Sequence, residues 1–297
     1  MARDEPIGER MTKAIRVRGD AARWWFHAGR RAGRFFRDRP RRAALRDLRP
    51  GALEIPAGDG LLVHPPGTFD EVPAIVADAH AALARFDASA PAGASQKRFL
   101  VNVLDRRTLA ADSAVIRFAL RDDVLAAVSR YLGVVPRLGA ISVFFSDTVE
   151  GTPKSSQLHH CDGDDVTQVK VFIYCSDVDK ASGPLTVLGA ENSARVRRVT
   201  RYQYRQRLTD DQVAAVLGPN RAQAILGPSG TAAFVDTSRC FHFGSRVAPG
   251  APPRLVTMIQ YQTPYSFIRP DGKDEVGPLA RVDHPSLGSL QRLVLGD

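Results

Sequence analysis

Within Gln157-Leu158-His159-His160-Cys161-Asp162-Gly163-Asp164-Asp165, one histidine and one carboxylate stand two positions apart. Successive side chains of an extended chain alternate sides, so His160 and Asp162 project together. An imidazole and a carboxylate on one face fill two adjacent coordination positions of a metal. A third ligand from a distant strand would complete a facial triad and leave three positions of an octahedron open. His242, in Cys240-Phe241-His242-Phe243-Gly244-Ser245, follows a β-rich run and stands far enough along the chain to return on another strand.

The three open positions suit a bidentate 2-oxo acid and dioxygen. A 2-oxo diacid also needs a fixed cation for its distal carboxylate, and Arg offers a planar bidentate fork that Lys lacks. Arg254 opens the apolar run Leu255-Val256-Thr257-Met258-Ile259. A charge at the head of a buried strand is costly unless it meets an anion. Arg254 is therefore the expected anchor, with Arg246 as the alternative. His-x-Asp alone is common in surface turns; its combination with a distal His and a strand-opening Arg carries the reading. By the same parity, His159 and Cys161 face away from the metal, and Asp164 and Asp165, beyond Gly163, cap a turn. Gln168, Lys170, Phe172 and Tyr174 share one face of a strand. If that face is inward, Lys170 and Tyr174 reach the cosubstrate. Asn102 and Lys97 are candidates for the substrate mouth.

These residues need a scaffold. From about residue 137 the apolar period is two, with strands expected at 140–146, 168–175, 185–188, 231–235 and 254–261, separated by Gly/Pro turns. Thr209-Asp210-Asp211-Gln212 is a capping-box pattern ahead of one helix. Upstream, apolar 3, 4 and 7 spacings predict helices at about 68–86 and 111–132, the second ending at Gly133, with a strand at 98–104 between them. His80, near the first stripe, reads as a hydrogen-bonded packing residue. Many short strands without alternating helices predict a mainly β fold with flanking helices: a jelly roll, or double-stranded β-helix, with its core at about 137–265.

The 297 residues carry a net charge of +9. Residues 1–50 hold 15 Lys and Arg against 6 Asp and Glu, so the whole excess sits there and the body, 51–297, is neutral. This arm interleaves Arg with aromatics, and helical spacing lines up Trp25, Ala28, Ala32, Phe35 and Phe36. The expectation is a helix packing its aromatic face on the body or a second subunit. An anionic membrane surface is the alternative, and nucleic acid is disfavoured. Three cysteines without CxxC spacing argue against a disulfide framework or zinc ribbon. No apolar run spans a bilayer, and the first 50 residues hold neither an apolar stretch nor a serine, so no leader is expected. A reducing cytoplasm is the expected location, with peripheral membrane contact through the arm as the alternative.

From about Ser113 to Tyr261 the chain resembles the phytanoyl-CoA dioxygenase family. The resemblance rests on Arg130-Tyr131-Leu132-Gly133, His160-Cys161-Asp162, 172–177 with Ser182-Gly183-Pro184-Leu185, 242–245, and Arg254. It implies a double-stranded β-helix that couples oxidative decarboxylation of 2-oxoglutarate to hydroxylation of a C–H bond, using Fe(II) and O2. On that resemblance His160, Asp162 and His242 ligate iron, and Arg254, helped by the Ser245 hydroxyl, holds the 2-oxoglutarate C5 carboxylate. An Asp at 162, rather than Ala or Gly, favours hydroxylation over halogenation. Where many members carry Pro-Gly-Ser-His, this chain reads Leu188-Gly189-Ala190-Glu191-Asn192-Ser193. The expected substrate is a small organic or lipid-like molecule. The rivals are a cupin-like metal-binding protein without oxygenase activity and an adaptor acting through the basic arm.

Overall fold

The computed structural model describes residues 7–49, 51–86, 99–148, 151–268, 282 and 284–296. Its helices are α1 (Ile7–Arg16), α2 (Asp20–Gly33), α3 (Arg39–Asp47), α4 (Val72–Arg85), α5 (Ala114–Ala119), α6 (Asp122–Leu132), α7 (Ala190–Thr200), α8 (Asp210–Leu217) and α9 (Ser289–Leu295). Its strands are β1 (Leu61–His64), β2 (Val101–Asn102), β3 (Arg137–Ser146), β4 (Gln168–Tyr174), β5 (Thr186–Val187), β6 (Gln223–Ala224), β7 (Ala232–Val235), β8 (His242–Phe243) and β9 (Arg254–Gln262).

The strands form an antiparallel sheet in the order β1-β7-β4-β9-β3-β2 and a smaller one in the order β6-β5-β8. A bridge between His160 and His242 adds the 159–160 segment to the free side of β8. In chain order, the eight core strands are β3, 159–160, β4, β5, β6, β7, β8 and β9. The first pairs with the eighth, the second with the seventh, the third with the sixth and the fourth with the fifth. That nested pairing winds a chain into a jelly roll, the double-stranded β-helix expected from the sequence. Side chains from both sheets, among them Tyr174, Val187, Ile225, Ala233 and Val256, share one buried cluster.

The two faces of β4 divide the labour. Val169, Val171 and Ile173 point outward into the main core, which they share with Ile259, Tyr261 and residues of α5 and α6. Gln168, Lys170 and Phe172 point into the barrel. Fully burying aliphatic side chains such as these is worth about 1.5–3 kcal/mol each, so the outward row fixes the register that places the inward one.

Several elements differ from expectation. The 111–132 helix is broken into α5 and α6 at Leu120 and Arg121, where Arg121 pairs with Glu71 and Asp123 instead of continuing the helix. Gly133 does end it, in the left-handed region at φ 68°. The loop after Leu188 is followed at once by helix α7, anchored where the Ser193 hydroxyl donates to Leu188 O and accepts from Phe241 N. Of the 98–104 strand, Val101–Asn102 forms among the described residues; Lys97 and Arg98 lie outside them. Asn102 uses its side-chain oxygen to accept from Leu104 N and Val143 N. His80 bonds Cys175 O at 2.7 Å.

The basic arm folds as three helices, and its cations reach into the body. Arg23 is 1% exposed, donates to Arg16 O, Gly163 O and Asp165 O, and lies 3.6 Å over the Tyr204 ring. Arg41, equally buried, donates to Val135 O, Pro136 O and Leu293 O. The aromatic stripe does not pack on the body of its own chain. Trp25 is 72% and Phe36 87% exposed, with Trp24 and Phe35 also exposed, because the buried arginine and Phe26, not that stripe, face the body. No helix among the described residues is long and apolar enough to cross a membrane.

Candidate metal centre and anion pocket

His160, Asp162 and His242 come together as the sequence implied. One ligand atom from each lies within 4.8 Å of the other two, the one group among the described residues placed to hold a metal ion. Each histidine Nε2 is 3.8 Å from an Asp162 oxygen, His160 from Oδ1 and His242 from Oδ2. The imidazole centroids are 4.2 Å apart. The His160–His242 bridge supplies the geometry, since backbone bonds in both directions lock the two strands side by side.

The tautomers follow from the partners. His160 Nδ1 faces Leu158 O at 2.9 Å, and His242 Nδ1 faces Cys240 O at 3.0 Å. A carbonyl only accepts, so Nδ1 carries the proton in both rings and Nε2 presents its lone pair to the centre. Burial, then the neighbouring imidazole, pushes the His160 pKa well below its ordinary value; burial pushes His242 down too. Both rings are therefore neutral, as metal ligation requires.

Asp162 accepts from Lys170 Nζ at 2.8 Å and Gln168 Nε2 at 3.3 Å, both through Oδ2. Burial works against its ionisation, but the Lys170 ammonium prevails and holds the carboxyl well below the usual range. Gln168 is itself held by Thr237 Oγ1 and by Gln260, whose amide also reaches Asp164. Lys170 thus does face inward, but it meets the carboxylate of the triad.

Arg254 sits at the other end of the same sheet face, opposite Ser146 in the β3–β9 register. It is 6% exposed, donates to Ser245 Oγ at 2.8 Å, and has no partner for Nε and no carboxylate among the described residues. Burial lowers its pKa, offset by nearby Tyr174, but a guanidinium remains charged at neutral pH. Arg246, the alternative, is fully engaged. It forks Asp210 at 2.8 and 2.9 Å, donates to Gln157 O and stacks 3.6 Å over Phe243.

Two backbone features cradle Arg254. A Cβ on Gly244 would lie 3.2 Å from both terminal guanidinium nitrogens, tight enough that the guanidinium would have to shift by a few tenths of an ångström. Ser245 adopts φ 59°, a strained value for a non-glycine, held by bonds to Gly183 O, Gln157 Nε2 and Ser146 Oγ. Tyr174 lies close enough to interact electrostatically with Arg254, while its hydroxyl donates to Ile225 O and accepts from Leu185 N.

The residues set aside also find places. His159 points away, 4.7 Å from Phe243 and 3.2 Å from Asp210. Cys161 is buried in a separate cluster with Tyr202 and Phe241. Asp164 pairs with Arg16, and Asp165 accepts from Thr263 and Val166 and faces His27. Sequence reasoning missed Asp236, a fully buried carboxylate that accepts from Tyr131, Thr167, Ser238 N and Arg239 N and shapes the turn leading into β8. Its only signal was an acid directly after an apolar strand.

No family model matches the chain, and no curated protein matches it. Among solved structures it is similar to the epimerase SnoN in complex with Fe3+, alpha ketoglutarate and nogalamycin RO. There the identity is 20% over 83% of this chain and 92% of that one, with a TM-score of 0.49. It is also similar to EctD from S. alaskensis with 2-oxoglutarate and 5-hydroxyectoine, at 18% identity over 79% and 83%, TM-score 0.49. A third is HygX from Streptomyces hygroscopicus with nickel, 2-oxoglutarate and hygromycin B bound, at 16% identity over 70% and 84%, TM-score 0.47. Likeness at this level assigns no residue roles to this chain.

Proposed function

We propose that the chain is a non-haem Fe(II)/2-oxoglutarate-dependent oxygenase of the phytanoyl-CoA dioxygenase kind. Its substrate is a small organic or lipid-like molecule, oxidised at a C–H bond. The observation that carries the reading is Arg254: a buried guanidinium with no carboxylate partner among the described residues, on the same inward sheet face as Lys170, whose ammonium meets Asp162 of the His160/Asp162/His242 cluster. A cupin that only binds metal has no use for such a cation, and burying it unpaired costs stability.

The donor set suits Fe(II): two neutral imidazoles and one carboxylate, a three-residue set that would leave other positions of an octahedral ion to further ligands. Iron so held would supply the oxidation, in which 2-oxoglutarate, O2 and a C–H bond become succinate, CO2 and a hydroxylated product. The protein's part is positioning. Leu158 O and Cys240 O orient the imidazoles, while Lys170 keeps Asp162 ionised and ties up Oδ2, leaving Oδ1 to the metal. Arg254, with Ser245 and Ser146, receives the far carboxylate of the diacid, and Tyr174 walls that end of the barrel.

Aerobic incubation with Fe(II) and 2-oxoglutarate tests this, because oxygenases of this type release succinate slowly even without substrate. Succinate formation lost in both Asp162→Ala and Arg254→Met supports the reading. Tight metal binding with no succinate would favour the cupin alternative.

A further inference from the structure

The outer face of α2 is at odds with a soluble surface. Trp25, Gly29 and Ala32 fall at helical spacing on α2, Phe36 lies in the turn that follows it, and all four are exposed, Trp25 and Phe36 at 72% and 87%. No charged side chain interrupts that row, and Gly29 and Gly33 have open space where a Cβ would lie. Nine arginines and a single aspartate lie between Ala21 and Arg46, and of these arginines Arg23 and Arg41 are buried in the body. The aspartate, Asp38, is buried and bound by Arg34, whereas Arg31, Arg37 and Arg39 are exposed. Large exposed aromatics rimmed by one sign of charge mark an interaction surface.

We propose that this face docks the protein, peripherally and reversibly, on an anionic lipid surface. Exposed tryptophan and phenylalanine suit the interfacial layer, where an apolar ring gains and a polar edge stays wet. The arginines beside them match the negative potential of anionic headgroups. A second copy fits poorly, since self-docking would set these arginines against their own equivalents. Nucleic acid fits less well than lipid. Trp24–Trp25 and Phe35–Phe36 are each paired edge to face, at 83° and 86°. In each pair the edge of one ring covers a face of the other, which leaves fewer faces for base stacking.

The two tryptophans of the chain, Trp24 and Trp25, both lie on this helix, so tryptophan emission reports on the helix that carries this face. The experiment mixes the full-length protein with phosphatidylcholine vesicles, with and without phosphatidylglycerol, at low and physiological salt. Expected are a blue shift in emission and co-sedimentation with the anionic vesicles only, weakened by salt. Arg31→Gln with Arg37→Gln lowers the binding constant by roughly tenfold or more. Trp25→Ala with Phe36→Ala abolishes sedimentation while the melting temperature is unchanged, as suits side chains already in solvent. Three results would each overturn the proposal: no shift and no sedimentation at low salt; a wild-type dimer that Trp25→Ala dissociates; or a shift with DNA but none with vesicles.

Discussion

Lys170 Nζ lies 2.8 Å from Asp162 Oδ2, an ion pair nearly closed to solvent at the one anionic member of the triad. Removing one partner of such a pair leaves a buried charge uncompensated, which costs about 3–5 kcal/mol. Lys170→Met should therefore lower metal-free stability by an amount of that order in urea unfolding at neutral pH. Added Mn2+ should restore more stability to the variant than it gives the wild type, because the metal replaces the missing cation. Equal metal-free stability would show that Lys170 does not balance Asp162.

Arg254→Met makes the opposite prediction. It removes an unpaired buried cation, so the variant should match or exceed the wild type in metal-free melting, by up to about 1 kcal/mol. At the same time it should lose all thermal stabilisation by 2-oxoglutarate with Mn2+. Arg254→Lys should keep some binding, weakened at least about tenfold, since an ammonium cannot fork a carboxylate. A destabilised Arg254→Met that still binds 2-oxoglutarate would place the anion elsewhere.

Gly244→Ala tests the cradle. The added Cβ, 3.2 Å from both terminal nitrogens, must push the guanidinium aside by a few tenths of an ångström. Since Gly244 is not at positive φ, no backbone strain confuses the result. Weaker 2-oxoglutarate binding with unchanged metal affinity, both by calorimetry, is expected. Wild-type binding of both would show the contact to be slack.

Acid should weaken the metal-free protein through its buried histidines. Burial lowers His159 to about 4, opposed by Asp210, from an ordinary 6.5. Above pH 6.5 the ring is neutral in both folded and unfolded chains and contributes nothing. Below it only the unfolded chain takes the proton, so stability falls by about 1.4 kcal/mol per pH unit until the folded value is reached. In a chelator-containing buffer, His159→Gln should show a shallower decline than the wild type between pH 6 and pH 4. Parallel profiles would mean that His159 titrates normally.

The arm reaches the metal loop. Arg23 binds Gly163 O and Asp165 O, Arg16 pairs with Asp164, and His27 faces Asp165, all immediately after Asp162. Arg23→Ala strips partners from buried carbonyls and should cost about 2–4 kcal/mol. It should also weaken metal binding, and deletion of residues 1–50 should do so more severely. Full metal affinity in the deletion would make the arm a separate appendage.

The inward row of β4, the His160–Asp162 parity and the strand-opening Arg254 were legible because period-two burial and the cost of a buried charge are local rules. The capping box at Thr209 and the left-handed end at Gly133 were legible for the same reason. What the sequence hid was tertiary. Lys170 was grouped with Gln168, Phe172 and Tyr174 on one face whose direction was left open, and its partner Asp162 comes from a segment outside its sheet. Helix α7 was missed because its polar, arginine-rich sequence has little periodicity; it is fixed by Ser193 across a loop. The arm's aromatic stripe invited a buried reading, and only the structure shows Arg23 and Arg41 buried in the body while Trp25 and Phe36 stay out.

The central claim is one site that takes Fe(II) between His160, Asp162 and His242 and a 2-oxo diacid on Arg254. Anaerobic addition of Fe(II) and then 2-oxoglutarate tests it most directly, by the visible charge-transfer band of a chelated 2-oxo acid. The band should appear in the wild type and be absent from the His160→Ala, Arg254→Ala double variant. A wild type without the band, or a double variant that retains it, would contradict the account.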